Sequence, residues 1–269
     1  MNKKNYLLDL NNSKKPFIIY KSDKGFNLYT DFSKKIILNN KNIEKFINTN
    51  TRLKSTGKET DLFIGFFGYE ILNNLISVKI KKQQTTNFPK GIFYKPETKI
   101  KFSNNLEYKK TRLSNPSNLF KININKKSYK IIFDKFKKKI KSGETYQIKI
   151  CTKYSNKSEI NALDFFSRLV KSNMAPEAFM IKDKDYSIIS CSPENLITKK
   201  NNFITTKPIA GTLKKTKKLN KNKALTFFRK NLKETKEHNM IVDMERNDLS
   251  KICKPGSVKI LKKKIVEEY

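Results

Sequence analysis

The residues best suited to chemistry in this chain gather around Lys207-Pro208-Ile209-Ala210-Gly211-Thr212. A Pro-x-x-Gly-Thr turn offers a glycine backbone and a threonine hydroxyl that a small anion can approach closely, because glycine adds no side-chain bulk. Ser192-Pro193-Glu194 precedes the turn, and Lys236-Glu237-His238 follows it, with Arg246-Asn247-Asp248 further on. Glu194 and Glu237 therefore flank the turn in sequence. A buried acid and a carboxylate able to hold a divalent ion form a minimal kit for metal-assisted chemistry on an acidic substrate. Each piece alone says little; their order and spacing make the reading.

The elements needed to position these residues are legible in outline. Tyr129, Ile132, Phe133, Phe136 and Ile140 make one apolar stripe, so a helix is expected over 128–142, with Ser128 as its cap and Gly143 just past its end. From Thr145 to Tyr154 the pattern alternates: Tyr146, Ile148 and Ile150 point one way, and Gln147, Lys149 and Cys151 the other. This predicts a strand whose polar face meets either water or a pocket. A second amphipathic helix is expected over 160–171. Two hairpins follow, 178–181 with 186–190 and 195–199 with 203–207, and the second delivers the chain to the Pro208–Thr212 turn. One long helix over about 219–245 completes the series. On it Glu237, Ile241 and Met244 share an apolar face, while His238, Val242 and Glu245 lie on a different side. A carboxylate on an apolar face needs a cation or hydrogen bonds, and a salt bridge to Lys233 or Lys236 would suffice.

Ahead of these elements, residues 1 to about 122 read as short strands: 16–20, 25–29, 35–38, 62–70, 91–95 and 98–103, with a short helix near 42–47. The Ser-, Asn- and Lys-rich stretch 111–125 is the best linker. The organisation expected is a mostly-β region over 1–122 and a second region over 123–269. Helices interleaved with hairpins imply an α+β fold, with antiparallel sheet and helices outside it.

Composition removes several function classes. The 59 Lys and Arg against 24 Asp and Glu give a net charge of +35. Arg stands only at positions 52, 112, 168, 229 and 246, so nearly all of the charge is Lys, spread along the chain among Asn and Ile. Nucleic-acid readers lean on the planar Arg fork, so no nucleic-acid partner is expected, although a positive field would attract a small dianion. Three cysteines without a CxxC spacing fit a reducing compartment. No apolar run approaches the roughly 20 residues of a membrane span, and the N-terminal apolar run is too short for a signal peptide. A cytoplasmic protein with no membrane partner is expected.

Several motifs occur in an order that resembles one family. GETYQIKICTKY, SNMAPEAF, SCSPENL, TTKPIAGT and KETKEHNMIVDMERNDLSKICKPGSVKI are similar to the chorismate-utilising enzymes, above all the synthase subunits of anthranilate synthase and aminodeoxychorismate synthase (component I). The resemblance is dense from Ser128 to Tyr269 and looser before that, where GFFGYE is similar to a GY-x-GYD/E element. It implies that Glu194 is the general acid that helps expel the C4 hydroxyl of chorismate. Gln147 stands where the water-adding relatives have a Lys base; an amide does not titrate, so the resemblance implies ammonia as nucleophile, delivered by a glutamine amidotransferase partner. Ala210, Gly211 and Thr212 resemble the substrate-contacting turn. Glu237 resembles a Mg²⁺ ligand, with Glu234 one helical turn away as its support. The Arg246-Asn247-Asp248 stretch resembles a family signature with a structural hydrogen-bonding role. The resemblance also places the Pro208–Thr212 turn, Gln147 and Glu194 in one pocket.

Ala210 stands where many aminodeoxychorismate synthases have a nucleophilic Lys, which favours an anthranilate synthase component I type. The chain has no element resembling the tryptophan-binding LLES, and NMAPEAF departs from NPSPY, which favours aminodeoxychorismate synthase component I nearly as well. The family pattern runs on past the position of Tyr269 with further site residues, including a second metal Glu. The resemblance is therefore to a C-terminally truncated member, whose 269 residues alone would bind Mg²⁺ and chorismate poorly and turn over nothing measurable. An inactive fragment or binding module is the alternative of another class.

Overall fold

The computed structural model describes residues 3–22, 24–51, 57–74, 88–103, 119–158 and 160–268. In chain order its elements are α1 (Lys3–Asn12), β1 (Phe17–Ser22), β2 (Gly25–Ile37), α2 (Ile43–Thr51), β3 (Ile64–Phe67), a 3₁₀ turn (Tyr69–Asn74), β4 (Gly91–Phe102), β5 (Lys121–Ile122), α3 (Lys126–Lys141), β6 (Tyr154–Ser155), α4 (Ala162–Ser172), β7 (Glu177–Lys182), β8 (Ser187–Ser192), β9 (Thr198–Lys200), β10 (Phe203–Thr205), α5 (Lys221–Lys230) and α6 (Leu232–Ser250). They form two compact units, one built from Met1–Tyr108 with Phe166–Tyr269 and the other from Lys109–Phe165. Among the described residues no helix is long and apolar enough to cross a membrane.

The larger unit is α+β, as the element order predicted. Its sheet has six antiparallel strands in the order β3-β4-β2-β1-β7-β8. Strands from both sides of residue 122 join in it, because β1 pairs with β7 in the register Ile18↔Ile181 and Ile19↔Met180. The run Phe17-Ile18-Ile19 is buried residue after residue, as happens when both faces of a central strand are covered. On one face Ile18 joins Tyr29, Ile92, Tyr94 and Ile181 in a core. Toward the other, the Phe166 ring of α4 meets Phe26 edge-on, with centroids 6.0 Å apart.

Two strands are longer than the sequence pattern predicts. The expected pairs 25–29 with 35–38, and 91–95 with 98–103, are continuous as β2 and β4. A bulge between Phe32 and Lys34 accommodates the irregularity, and Pro96 pairs at its edge with Phe32. Proline cannot donate to a ladder, so it is tolerated where pairing is already broken; β3 covers only Gly91–Tyr94 of this strand. The helix α1 escaped the pattern reading altogether, and its Leu7 and Leu10 are buried.

Other expectations need correction. The helix expected over 128–142 begins two residues earlier, capped not by Ser128 but by Asn125, whose Oδ1 accepts the Ser128 N–H at 2.8 Å. Gly143 does close it with φ +77, the left-handed conformation that glycine adopts without steric cost. The apolar stripe of α3 is not a buried face among the described residues: Tyr129, Phe133 and Ile140 remain 40–44% exposed. The strand expected over 145–154 forms only at Tyr154–Ser155, paired with Lys121–Ile122. Alternation alone makes a strand only where a partner edge is present, and here the partner is two residues long. The single helix expected over 219–245 is two helices. Asn231 interrupts it by turning its side chain to the Glu234 N–H at 3.2 Å, the competition with the helical backbone that makes Asn a cap. Of the linker expected over 111–125, residues 111–118 lie outside the described residues.

At the β7–β8 turn, Asp183 is buried and accepts hydrogen bonds from Tyr94 Oη, from Lys35 Nζ at 2.6 Å and from the Lys184 N–H at 2.7 Å. Burial alone would raise its carboxyl; Lys35, Tyr94 and the Lys184 amide more than offset this and hold it below the usual range. The Tyr94 hydroxyl is pushed up by burial and by its bond to Asp183. A depressed carboxylate contributes stability that is complete above the unfolded value of about 4 and is lost as pH falls through the folded one. Asp183→Asn should cost about 1.5–3 kcal/mol at pH 7. In urea titrations the gap between the wild-type and variant curves should close on acidification below about pH 4.

Candidate active site

Strand β8 ends at Ser192 and hands over to Pro193-Glu194-Asn195. Ser192 Oγ accepts the Glu194 N–H at 3.2 Å and donates to the Glu194 carbonyl at 3.0 Å. This small side-chain turn, stiffened by Pro193, fixes the backbone of Glu194. Its carboxylate is exposed and reaches back over the later turn, where Oε1 accepts the Ile209 N–H at 3.0 Å. The structure therefore brings Glu194 and the Pro208–Thr212 turn together although β9, β10 and their hairpin separate them in sequence.

Gly211 is held at φ +76. A Cβ there would stand 2.8 Å from the Phe228 ring and 3.0 Å from Glu234 Oε2. Both the conformation and the space demand glycine. The glycine backbone is thereby packed against the Phe228 ring of α5 and a carboxylate oxygen on the first turn of α6. Ala210 and Thr212 flank it. Just before the turn, Thr206 Oγ1 donates to Glu245 Oε2, and Lys207 Nζ pairs with Glu267 Oε1 at 2.6 Å.

A cleft of about 1510 Å³ runs between this turn and the helices, and the turn, α5, α6 and the segment 252–268 all line it. The strip of α6 that faces it carries Glu234, His238, Val242, Glu245 and Leu249, spaced as one helical face. Glu237 lies on the neighbouring strip with Ile241 and Met244, about a quarter-turn of the helix away, and is half-buried. That strip is not a core face, since no residue of α6 is buried. Arg246 pairs with Asp243 one turn earlier at 3.5 Å.

His238 Nδ1 is enclosed without a hydrogen-bond partner. Burial, and then the Lys264 ammonium, lower its affinity for a proton. Gln147 belongs to the other unit. There it follows α3 as an exposed residue whose carbonyl accepts from Thr145 Oγ1 at 3.2 Å. Among the described residues no three His, Cys, Asp or Glu side chains converge as a metal site. Cys151, Cys191 and Cys253 are free thiols. Sequence reasoning missed Glu245 and its tie to Thr206. The available signal was its helical phase, seven residues after His238 and eleven after Glu234.

The sequence profile of the chorismate binding enzymes matches residues 3–269. The chain belongs to that family. It is 30% identical to anthranilate synthase component 1 of Buchnera aphidicola subsp. Pemphigus spyrothecae, over 77% of this chain and 48% of the relative. It is 34% identical to aminodeoxychorismate synthase component 1 of Bacillus subtilis (strain 168), over 51% of this chain and 29% of the relative. The crystal structure of anthranilate synthase component I from Streptococcus pneumoniae TIGR4 has the same fold. It superposes with a TM-score of 0.68 at 22% identity, covering 94% of this chain and 63% of that one. The chain spans about half or less of the length of the curated relatives it matches. The family membership expected from the motifs is confirmed, and so is the fold.

Two outcomes follow from the geometry. Gly211→Ala should destabilise by about 1–2 kcal/mol from the left-handed backbone alone, and more if the Phe228 ring cannot move, read as a lowered Tm. A histidine whose folded form resists protonation stabilises above its unfolded value of about 6.5, and that contribution falls away on acidification below it. Chemical denaturation at pH 7.5 and 5.5 should therefore show a loss of stability in the wild type that is smaller in His238→Phe.

Proposed function

We propose that this chain is a chorismate-aminating synthase subunit of the anthranilate synthase component I type, which receives ammonia from a glutamine amidotransferase partner in the cytoplasm. The observation that carries this reading is the seating of the Glu194 carboxylate on the turn Pro208–Thr212, with the Glu234 carboxylate packed closely against Gly211 in the lining of the same cleft. An acid placed beside a close-approach turn suits departure of a hydroxyl group from a small polyanion. Glu194 gives its proton to the C4 hydroxyl of chorismate as it leaves, while ammonia forms its bond at C2; loss of pyruvate from the adduct then yields anthranilate. Ala210, Gly211 and Thr212 hold the ring and its carboxylates. Gln147, an amide with no proton to take or give, leaves water unactivated and so favours ammonia. The excess of Lys raises the local concentration of the dianionic substrate.

Mg²⁺ is the proposed cofactor, held by Glu237 with Glu234 in support. The donors fit the ion in kind. Mg²⁺ takes hard carboxylate oxygens, commonly one or two from the protein with the rest from water and substrate; Glu234 is in the lining of the cleft, and Glu237 stands on the adjacent strip of α6. When bound, Mg²⁺ supplies positive charge against a substrate carboxylate. The second reading, addition at C4 to give aminodeoxychorismate, is supported by the likeness to the Bacillus subtilis protein. The division into a mostly-β region over 1–122 and the first half of the chorismate-binding region over 123–269 belongs to the same proposal.

Calorimetric titration with chorismate and Mg²⁺, on the chain extended to the length of its curated relatives, tests binding, and absence of heat at millimolar chorismate would overturn the reading. Any product formed with ammonium should be anthranilate, seen by its fluorescence, with aminodeoxychorismate assayed separately; isochorismate in its place would remove the aminating assignment. In the same full-length version Glu194→Gln should lower turnover by about 10²–10⁴-fold with chorismate binding little changed. There Gln147→Lys should weaken amination and admit water as a nucleophile, read as the appearance of isochorismate.

A further inference from the structure

The acid Glu194 sits on an exposed loop, and its own local bonds reach no further than Ser192 and Ile209. The next residue ties that loop to the sheet. Asn195 Nδ2 donates to Glu177 Oε1 at 3.1 Å, and Asn195 Oδ1 accepts from Thr198 Oγ1 at 3.1 Å at the start of β9. The other oxygen of Glu177, Oε2, accepts from Tyr20 Oη of β1. Burial, and then this bond to Glu177, hold the Tyr20 proton on its oxygen, so the hydroxyl remains a donor. Beside it, Lys21 Nζ donates to the carbonyls of Met174 and Ala175 at 3.2 and 3.1 Å, fixing the segment that enters β7. A half-buried carboxylate with each oxygen committed to a different element is a bracket rather than a surface charge.

We infer that Glu177 is a positioning residue for the acid: through Asn195 it holds the Ser192–Asn195 loop at the distance from strand β1 that lets Glu194 meet the Ile209 N–H. This rests on the reading of Glu194 as the acid and extends it to the group that aims the acid. The register supports the assignment. Glu177 pairs with Ser192 across β7 and β8, so the bracket stands at the last rung before the loop begins, where the ladder can no longer control the chain. The sheet fixes Ser192 through backbone bonds; beyond it, Glu177 is the side chain on β7 that takes over through Asn195.

The experiment uses the whole chain labelled with [¹⁵N]isoleucine. The Ile209 amide reports directly on the Glu194 contact, and Ile18, Ile19 and Ile181 report on the sheet. In the wild type the Ile209 amide should exchange slowly, and Glu194→Ala, which removes its acceptor, should speed that exchange. Glu177→Ala and Asn195→Ala should speed Ile209 exchange by about tenfold or more, with the sheet amides unchanged within about twofold. Glu177→Gln keeps the volume and one acceptor, and should fall between. Tyr20→Phe leaves the Asn195 bond in place and should have a smaller effect than Glu177→Ala. An unchanged Ile209 in Glu177→Ala and Glu177→Gln would overturn the inference. So would equal acceleration of the sheet amides, which would mark a purely structural role. The functional reading fails separately: if the full-length version neither binds nor converts chorismate, that reading falls while the Ile209 signals still decide the role of Glu177.

Discussion

Strand β1 is the constraint on which the larger unit depends. Phe17, Ile18 and Ile19 are almost wholly enclosed, with β2 hydrogen-bonded along one edge and β7 along the other. Both faces and both edges of these residues are therefore committed, and a slip of one residue would exchange the two buried faces at once. The pairing with β7 joins residues about 160 positions apart in the chain. It is a costly contact to close, but the closure cost grows only slowly with loop length, and burial of three large side chains offsets it. Everything that presents Glu194 follows from this register. It sets β7, β7 sets β8, and β8 releases the chain at Ser192.

Beyond the sheet, control passes from ladders to side chains. Ser192 closes the first turn of the loop, Asn195 leans on Glu177, and Glu194 itself caps the Ile209 amide. On the opposite side of the turn, Thr206 and Lys207 are tied to Glu245 and Glu267. Irregular backbone in this region leaves polar groups that secondary structure cannot satisfy, and these side chains satisfy them. Carboxylates dominate this bracing even though the chain is strongly basic. With so many Lys on the surface, the few acids at the turn are held by specific hydrogen bonds, and exposed ion pairs such as Lys251 with Asp248 contribute little to stability.

How far the sequence could be read depended on the range of the interaction involved. Apolar runs and helical periodicity located β1, β7, β8, α3 and α4 because the succession of apolar side chains is a local property of the sequence. The same patterns failed where a neighbour decides the outcome. The alternation over 145–154 met a partner edge of only two residues and stayed mostly irregular. The helical pattern over 219–245 was interrupted by a single Asn that found a capping bond. The breaks expected between 29 and 35 and between 95 and 98 were absorbed by one bulge shared between two long strands. The helix α1, which buries Leu7 and Leu10, carried too weak a pattern to stand out.

For the candidate site, the sequence by itself determined the chemistry of the pieces: an acid in Ser-Pro-Glu, a glycine turn, two carboxylates one helical turn apart, and an amide at position 147. Motif order sufficed for the family because the kinds and succession of side chains are properties of the chain. Which helical face looks into the cleft was decided only by the tertiary structure. It turns Glu234, His238 and Glu245 toward the turn and puts Glu237 on the adjacent strip. The partners of Glu194 were likewise decided in three dimensions, since Ile209 reaches it across a hairpin and Glu177 braces its loop from another strand. A hydrogen bond depends on a separation of about 3 Å, and no spacing along the chain encodes that distance until the sheet register has fixed where each strand ends.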